Sequence, residues 1–134
     1  MNNGKVTFKQ YNMNQPSLLP AILGELIPEE HLVRVVNRMV DRIDIRPLLL
    51  KYKGGGTSSY HPRMMLKVLV YAYAEKIFSS RRIAKALREN VNFMWISGGN
   101  KPDHRTINMF RGETMKAEVR EVFAAVLELL VEGG

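Results

Sequence analysis

Apolar residues recur with helical spacing along most of this chain. The clearest stripe covers residues 32–43, where apolar side chains stand at i, i+3, i+4, i+7, i+8 and i+11. Pro28 suits a first helical turn before this stripe, and Glu29 and Glu30 complement the positive end of the helix dipole. No segment shows the alternation of apolar and polar residues that strands need. The pattern predicts an all-α fold, a compact multi-helix bundle of five to six helices.

Further helical segments follow from the same pattern. They are expected over residues 47–52, 62–78, 81–90, 103–111 and 113–132. The segment 62–78 is apolar almost all round, which places it in the middle of the bundle. Ser79 and Ser80 are N-cap candidates for the helix that follows, and Asp103 is the candidate for the next one. Gly112 is expected to kink or divide the last two helices.

The N-terminal residues 1–27 are predicted to form an extended arm that precedes a single helical domain over residues 28–134. Pro16 and Pro20 argue against a helix through this arm, because proline lacks a backbone N–H and clashes with the preceding turn. The apolar residues of the arm could dock onto the helical domain as a strap. They are Leu18, Leu19, Ile22, Leu23 and Leu26.

Positive charge is concentrated in the middle of the chain. The 134 residues carry a net charge of +7, but residues 42–111 alone carry +10, while residues 112–134 carry −3. A local basic field of this kind attracts a polyanion, and nucleic acid is the usual one. The alternative is a solvated surface that only keeps the protein soluble, since charge alone does not identify a partner.

The residue types present argue against an enzyme or a membrane protein. The chain has no cysteine, which excludes disulfides, thiolate metal sites and a cysteine nucleophile. Its longest apolar stretch, residues 64–74, is interrupted by Lys67 and is too short to cross a bilayer. Asp41 and Asp44 lie among arginines and are expected to form surface ion pairs, so no catalytic site, metal or cofactor is predicted. The histidines are scattered and are expected to be structural: His31, His61 and His104.

Two neighbouring helices have the ingredients of a helix-turn-helix, in which the second helix enters the major groove and the first braces it. The connection, residues 91–102, exceeds the usual three or four residues, so two surface helices of an ordinary bundle remain an alternative. Within it, residues 91–96 are expected to form one irregular turn. The predicted phosphate contacts on the first helix are Arg81, Arg82, Lys85 and Arg88. The predicted contacts to bases from the second helix are His104, Arg105, Asn108 and Arg111.

Several ordered blocks of the sequence resemble a known family. The blocks are residues 8–20, 27–33, 60–67, 79–89 and 102–111. They resemble the N-terminal domain of insertion-sequence DDE transposases, the InsH-like N-terminal domain family. The resemblance implies a helical domain that precedes an RNase H-like catalytic domain and binds double-stranded DNA at the terminal inverted repeats of the element. It also implies a location in the bacterial cytoplasm, associated with the nucleoid.

The same resemblance implies that this chain performs no chemistry. The catalytic carboxylates of the family lie downstream, and this chain ends at Gly134, before any of them. Two-metal cleavage and strand transfer are therefore not expected, nor are a cofactor or a small-molecule ligand. An excised domain and a truncated remnant acting as a regulator both remain open. The alternative function is a protein-interaction module, in which the helix 113–132 pairs two protomers as a homodimer or docks on a catalytic domain.

Overall fold

A computed structural model describes residues 7–8, 18–49 and 58–114, together with Arg120, Ala124 and Glu128. Within these residues the helices are α1 (Leu18–Glu25), α2 (Leu32–Asp41), α3 (Arg46–Leu49), α4 (Pro62–Ala74), α5 (Ser80–Glu89), α6 (Val91–Ile96) and α7 (His104–Thr114). Two strands of two residues each, β1 (Thr7–Phe8) and β2 (Ser58–Ser59), pair in parallel with Thr7 opposite Ser58. The predicted all-α fold class is confirmed.

Helix α4 lies in the middle of the bundle, as its composition predicts. Every residue from 64 to 72 is buried, and the helix packs against α2, α6 and α7. The exception to its apolar character is Lys67, which is 1% exposed and forms an ion pair with Asp41 at 2.8 Å. Burial lowers the pKa of Lys67, and the Asp41 carboxylate opposes that shift. This ion pair, in which Lys67 is buried and Asp41 is half-exposed, therefore joins α4 to the end of α2.

The expectation of an extended arm is wrong for residues 18–25, which form α1. Pro20 is the third residue of this helix, and a proline in the first turn removes no hydrogen bond because those N–H groups have no partner within a helix. Helix α1 packs on α6, where a Cβ added to Gly24 would lie 3.4 Å from Trp95 Nε1. Of the residues expected to dock as a strap, Leu23 is buried, whereas Ile22 and Leu26 are exposed.

Two arginine side chains satisfy the carbonyl groups at the ends of helices. Arg34 donates to the carbonyl oxygens of Gly24 at 2.6 Å and Ile27 at 3.0 Å, and its guanidinium lies 4.9 Å from the centre of the Trp95 ring. Arg63 donates to Val40 and Ile43 at 2.7 and 3.1 Å. The last carbonyls of a helix have no partner inside it, so these bonds also fix how successive helices meet.

Two of the three histidines act as helix N-caps, which confirms their structural role. The Nδ1 atom of His31 accepts a hydrogen bond from the N–H of Val33 at 3.0 Å at the start of α2. The Nδ1 atom of His61 accepts from the N–H of Arg63 at 3.1 Å at the start of α4. A ring nitrogen can accept only while it carries no proton, so both caps require a neutral imidazole.

Helices α4 and α6 end in the same kind of turn. After α4, the N–H of Ile77 donates to Ala72 at 2.8 Å and that of Lys76 to Tyr73 at 3.0 Å, and Lys76 has a φ of 63°. This is the Schellman arrangement, which requires a left-handed residue and usually contains glycine. Gly98 occupies the equivalent position after α6 with the same φ of 63°. The left-handed turn explains why the third predicted helix ends before residue 78.

The remaining differences concern short elements. Residues 91–96 form the helix α6 rather than an irregular turn, because Asn90 caps it by accepting hydrogen bonds from the N–H groups of Asn92 and Phe93. Helix α7 continues through Gly112 to Thr114, so the glycine does not end it. The predicted helix over residues 113–132 lies largely outside the described residues. Arg120, Ala124 and Glu128 are helical and exposed.

Replacing Lys76 with glycine should stabilise the fold. An L-residue in the left-handed conformation costs about 1–2 kcal/mol, and glycine avoids this cost, so we expect K76G to raise the free energy of unfolding by about 1 kcal/mol. Lys85→Gly, in the exposed middle of α5, is the matched control and should lower it by about 1 kcal/mol. Urea titration of both variants measures the effect, and a destabilised K76G would contradict the assigned turn.

The stability of the fold should depend on the protonation of His61. Burial lowers the pKa of His61 from its ordinary value of 6.5, so the unfolded chain binds the proton at a higher pH than the folded chain does. The free energy of unfolding should therefore fall as the pH decreases through 6.5 towards the lowered pKa, and this contribution should be constant below it. H61N keeps a capping oxygen that does not titrate. Denaturant titrations between pH 8 and pH 5 should show a weaker pH dependence for H61N, and identical profiles would contradict the prediction.

Candidate nucleic-acid interface

Helix α5 separates an apolar face from a basic one. Ser80, Ile83, Ala84 and Leu87 are buried at the helical spacing i, i+3, i+4 and i+7. The other face carries the four residues that the sequence predicts as phosphate contacts, and all are exposed: Arg81, Arg82, Lys85 and Arg88. None of the four forms an ion pair with another residue in the described part of the chain. Their charges are therefore open to an external anion.

The start of α7 is fixed by the predicted N-cap. Asp103 Oδ1 accepts a hydrogen bond from the backbone N–H of Thr106 at 2.9 Å, and this bond holds the pKa of the Asp103 carboxyl below its usual value. Ile107 and Phe110 are buried in the core, as expected. This orientation leaves His104 half-buried and Arg105 exposed.

A polar network joins α7 to the first turn of α5. The Ser80 hydroxyl donates to Asn108 Oδ1 at 2.6 Å, while Arg111 Nη1 donates to Ser80 Oγ at 2.9 Å and to the carbonyl oxygen of Phe78 at 2.6 Å. The Arg111 guanidinium also lies 5.8 Å from the centre of the Tyr73 ring. We call Ser80, Asn108, Arg111 and the Phe78 carbonyl the α5–α7 junction. Its bonds set the position of α7 relative to the basic face of α5.

Two residues that the sequence predicts as base contacts, Asn108 and Arg111, form hydrogen bonds within the domain at the α5–α7 junction. The oxygen of the Asn108 amide and the guanidinium of Arg111 are both engaged by Ser80 or its neighbours. From the sequence, Ser80 is predicted only as a cap candidate. The cap is Ser79, whose Oγ accepts from the N–H of Arg82 at 3.2 Å, which turns Ser80 inward. Two adjacent serines can both serve as caps, so the sequence alone did not distinguish them.

The outward face of α7 carries a stripe of three residues that the sequence pattern does not group together. Arg105, Met109 and Gly112 stand at i, i+4 and i+7 and are all exposed, with Met109 at 76%. A Cβ added to Gly112 would meet no atom of the described residues within 4 Å. We call these residues the α7 stripe. The only sequence signal for it is that Ile107 and Phe110 take the inner positions of the same helix.

The helix pair differs from a tight helix-turn-helix. Helix α6 and the left-handed turn at Gly98 fill the connection between α5 and α7, and α5 packs against both α6 and α7. The unit is therefore three helices in which α6 replaces the usual short turn. Phe93 and Trp95 of α6 are buried in the core, with the Phe93 ring 4.8 Å from that of Tyr71.

Several other basic residues are occupied by contacts within the domain. Lys67 pairs with Asp41, and Arg63 binds carbonyl groups at the end of α2. Arg46 pairs with Asp44 at 2.7 Å, a predicted surface ion pair, and its hydrogen bonds lower the pKa of the Asp44 carboxyl to about 2. Residues 81–88 therefore form the densest group of exposed basic side chains in the described part of the chain.

The described residues contain neither a metal-binding cluster nor a membrane-spanning helix. No group of three or more His, Asp or Glu residues there is arranged to hold a metal ion. Among the same residues, no helix is long and apolar enough to cross a membrane. The basic face of α5 and the α7 stripe thus remain the candidate interface. The predicted dimer contact, residues 113–132, lies mostly outside the part that the structure describes.

A comparison with known protein families gives a match to most of the described helices. A family model described as Transposase domain (DUF772) matches residues 21–113. No curated protein and no solved structure matches the chain. The matched segment contains all of α2 to α6 and nearly all of α7, so it includes both parts of the candidate interface.

The hydrogen bond between Ser80 and Asn108 in the α5–α7 junction should be measurable as a coupling in the free energy of unfolding. Each of S80A and N108A should lower the free energy of unfolding, and the double variant should lose about 1 kcal/mol less than the sum, because one hydrogen bond cannot be lost twice. The control pair S80A and R105A shares no bond and should be additive within about 0.5 kcal/mol. Additivity of S80A with N108A would contradict the junction.

Proposed function

The chain belongs to the DUF772 transposase domain family, and from that membership we propose that it is the DNA-binding N-terminal domain of an insertion-sequence transposase. In this proposal the domain recognises the terminal inverted repeats of the element as double-stranded DNA. It performs no chemistry itself, and it works at the nucleoid of a bacterial cytoplasm. Cleavage and strand transfer belong to residues other than those of this domain.

The exposed basic face of α5 is the observation that carries the proposal. Four cationic side chains lie within residues 81–88, and no described carboxylate pairs with any of them. Unpaired cations at this density would repel one another in the free protein, whereas the phosphates of a duplex would neutralise them. Binding would also release the counterions condensed on DNA, which is the main source of affinity in such complexes.

The position of α7 supports a division of work between the two helices. The α5–α7 junction joins α7 to the start of the basic helix and to the residue before its cap through three hydrogen bonds of 2.6–2.9 Å. A helix held in this way can carry side chains to base edges, while phosphate contacts from its neighbour fix its register on the duplex. Arg105 is exposed on α7 and can donate two hydrogen bonds to guanine O6 and N7.

The proposal predicts that the affinity for DNA falls steeply as salt rises, and that individual residues of α5 contribute to this slope. Each phosphate neutralised contributes about −0.9 to the slope of log K against log salt, so the double variant R82Q/K85Q should reduce the slope by about two. Fluorescence anisotropy of the full chain with a mixed-sequence duplex measures this slope. The matched control is R38Q/R42Q, which removes two exposed arginines at the end of α2 and should leave the slope unchanged.

Two results would contradict the proposal. One is the absence of any complex at low salt, where electrostatic binding is strongest. The other is an equal loss of slope in R82Q/K85Q and R38Q/R42Q, which would mean that total charge rather than the face of α5 attracts the duplex. Thermal unfolding of both variants should confirm that the exposed substitutions leave the fold intact.

A further inference from the structure

We propose that α7 meets DNA with the α7 stripe, and that Met109 contacts the 5-methyl group of a thymine in the major groove. This inference rests on the proposed function, because it specifies how the bound duplex is read. It makes Met109 a specificity-determining residue, and it assigns Asn108 and Arg111 to holding the helix in place.

The contacts that α7 makes within the domain determine which side of the helix points outward. Ile107 and Phe110 are buried in the core, while Asn108 Oδ1 and Arg111 Nη1 are engaged in the α5–α7 junction. The α7 stripe lies on the outward face, next to the exposed Asn108. A helix that enters the groove while it keeps the junction must therefore present this stripe to the bases.

Met109 is the most exposed large apolar side chain among the described residues, at 76%. It stands one turn after Arg105 on the helix that the proposal places in the groove. The edges of the base pairs in the major groove present hydrogen-bonding groups together with one apolar group, the 5-methyl of thymine. An unbranched thioether side chain adapts to irregular apolar surfaces, so a methyl group within its reach is a suitable partner.

Gly112 adds an independent observation at the other end of the stripe. Glycine in the exposed interior of a helix is less stable than alanine, and here a Cβ would meet no atom of the described residues within 4 Å. No packing contact in the described part of the chain therefore requires the missing side chain. The absence of a side chain is useful if another surface approaches the helix closely at this point, as the wall of a groove does.

The first arm of the experiment tests the thymine contact. The full chain is used to select bound duplexes from a random pool, and each thymine of the selected site is then replaced by uracil, which lacks only the methyl group. Wild type should lose about fourfold in affinity at one or two thymines, the value of one buried methyl group. M109A should bind the selected site about fourfold more weakly and should no longer distinguish thymine from uracil there. The matched control L26A removes a 64%-exposed leucine just after α1 and should behave as wild type.

The second arm uses Gly112. If this glycine affected only the stability of the fold, G112A would not weaken DNA binding, whereas a close approach of the duplex predicts that it does. G112A should raise Tm, since alanine favours the helix, and should weaken binding of the selected duplex. Unchanged or tighter binding by G112A would overturn the close approach at this position. A site with no uracil-sensitive thymine, or equal sensitivity in wild type and M109A, would overturn the Met109 contact while leaving DNA binding intact. Failure to enrich any duplex at low salt would overturn both the inference and the proposed function.

Discussion

The burial of α4 on all sides is the constraint on which the rest of this domain depends. A helix with every residue from 64 to 72 removed from solvent needs neighbours around its whole circumference, and α2, α6 and α7 supply them. Burial also requires that each polar group near α4 finds a partner. Lys67 pairs with Asp41, and Arg63 binds the carbonyls at the end of α2. The central helix thus fixes the position of its neighbours through both apolar packing and a few directed bonds.

Arginine side chains then serve two different purposes in one basic protein. Arg34, Arg63 and Arg111 each bind backbone carbonyls, and they connect α1 to α2, α2 to α4, and α7 to the segment before α5. A guanidinium is suited to this task because it offers several donors in a fixed plane. The basic residues of α5 make no such contacts in the described part of the chain. The basic residues whose charge suggests nucleic acid in the sequence therefore fall into two sets in the fold. One set binds groups within the domain, and the other is exposed on α5.

The sequence predicted the elements with strong periodicity and much of the candidate interface. The all-α class, the central position of α4, the cap at Asp103 and the exposure of the α5 basic face are all present in the structure. The sequence did not predict α1, because the cost of proline depends on its place in the helix and the helix start was not recognised. It also could not show that Ser80 bonds Asn108, 28 residues away, because such a contact depends on how two helices pack.

Binding of duplex DNA through α5 and α7 can be tested residue by residue with NMR. Amide spectra of the labelled full chain would be recorded while a duplex is added, so that every backbone N–H reports whether its surroundings change. If these two helices bind the duplex, the largest shifts should fall on Ser80–Glu89 and His104–Thr114, with α1 and α2 nearly unaffected. Shifts concentrated on α1 and α2, or no shifts at low salt, would contradict it.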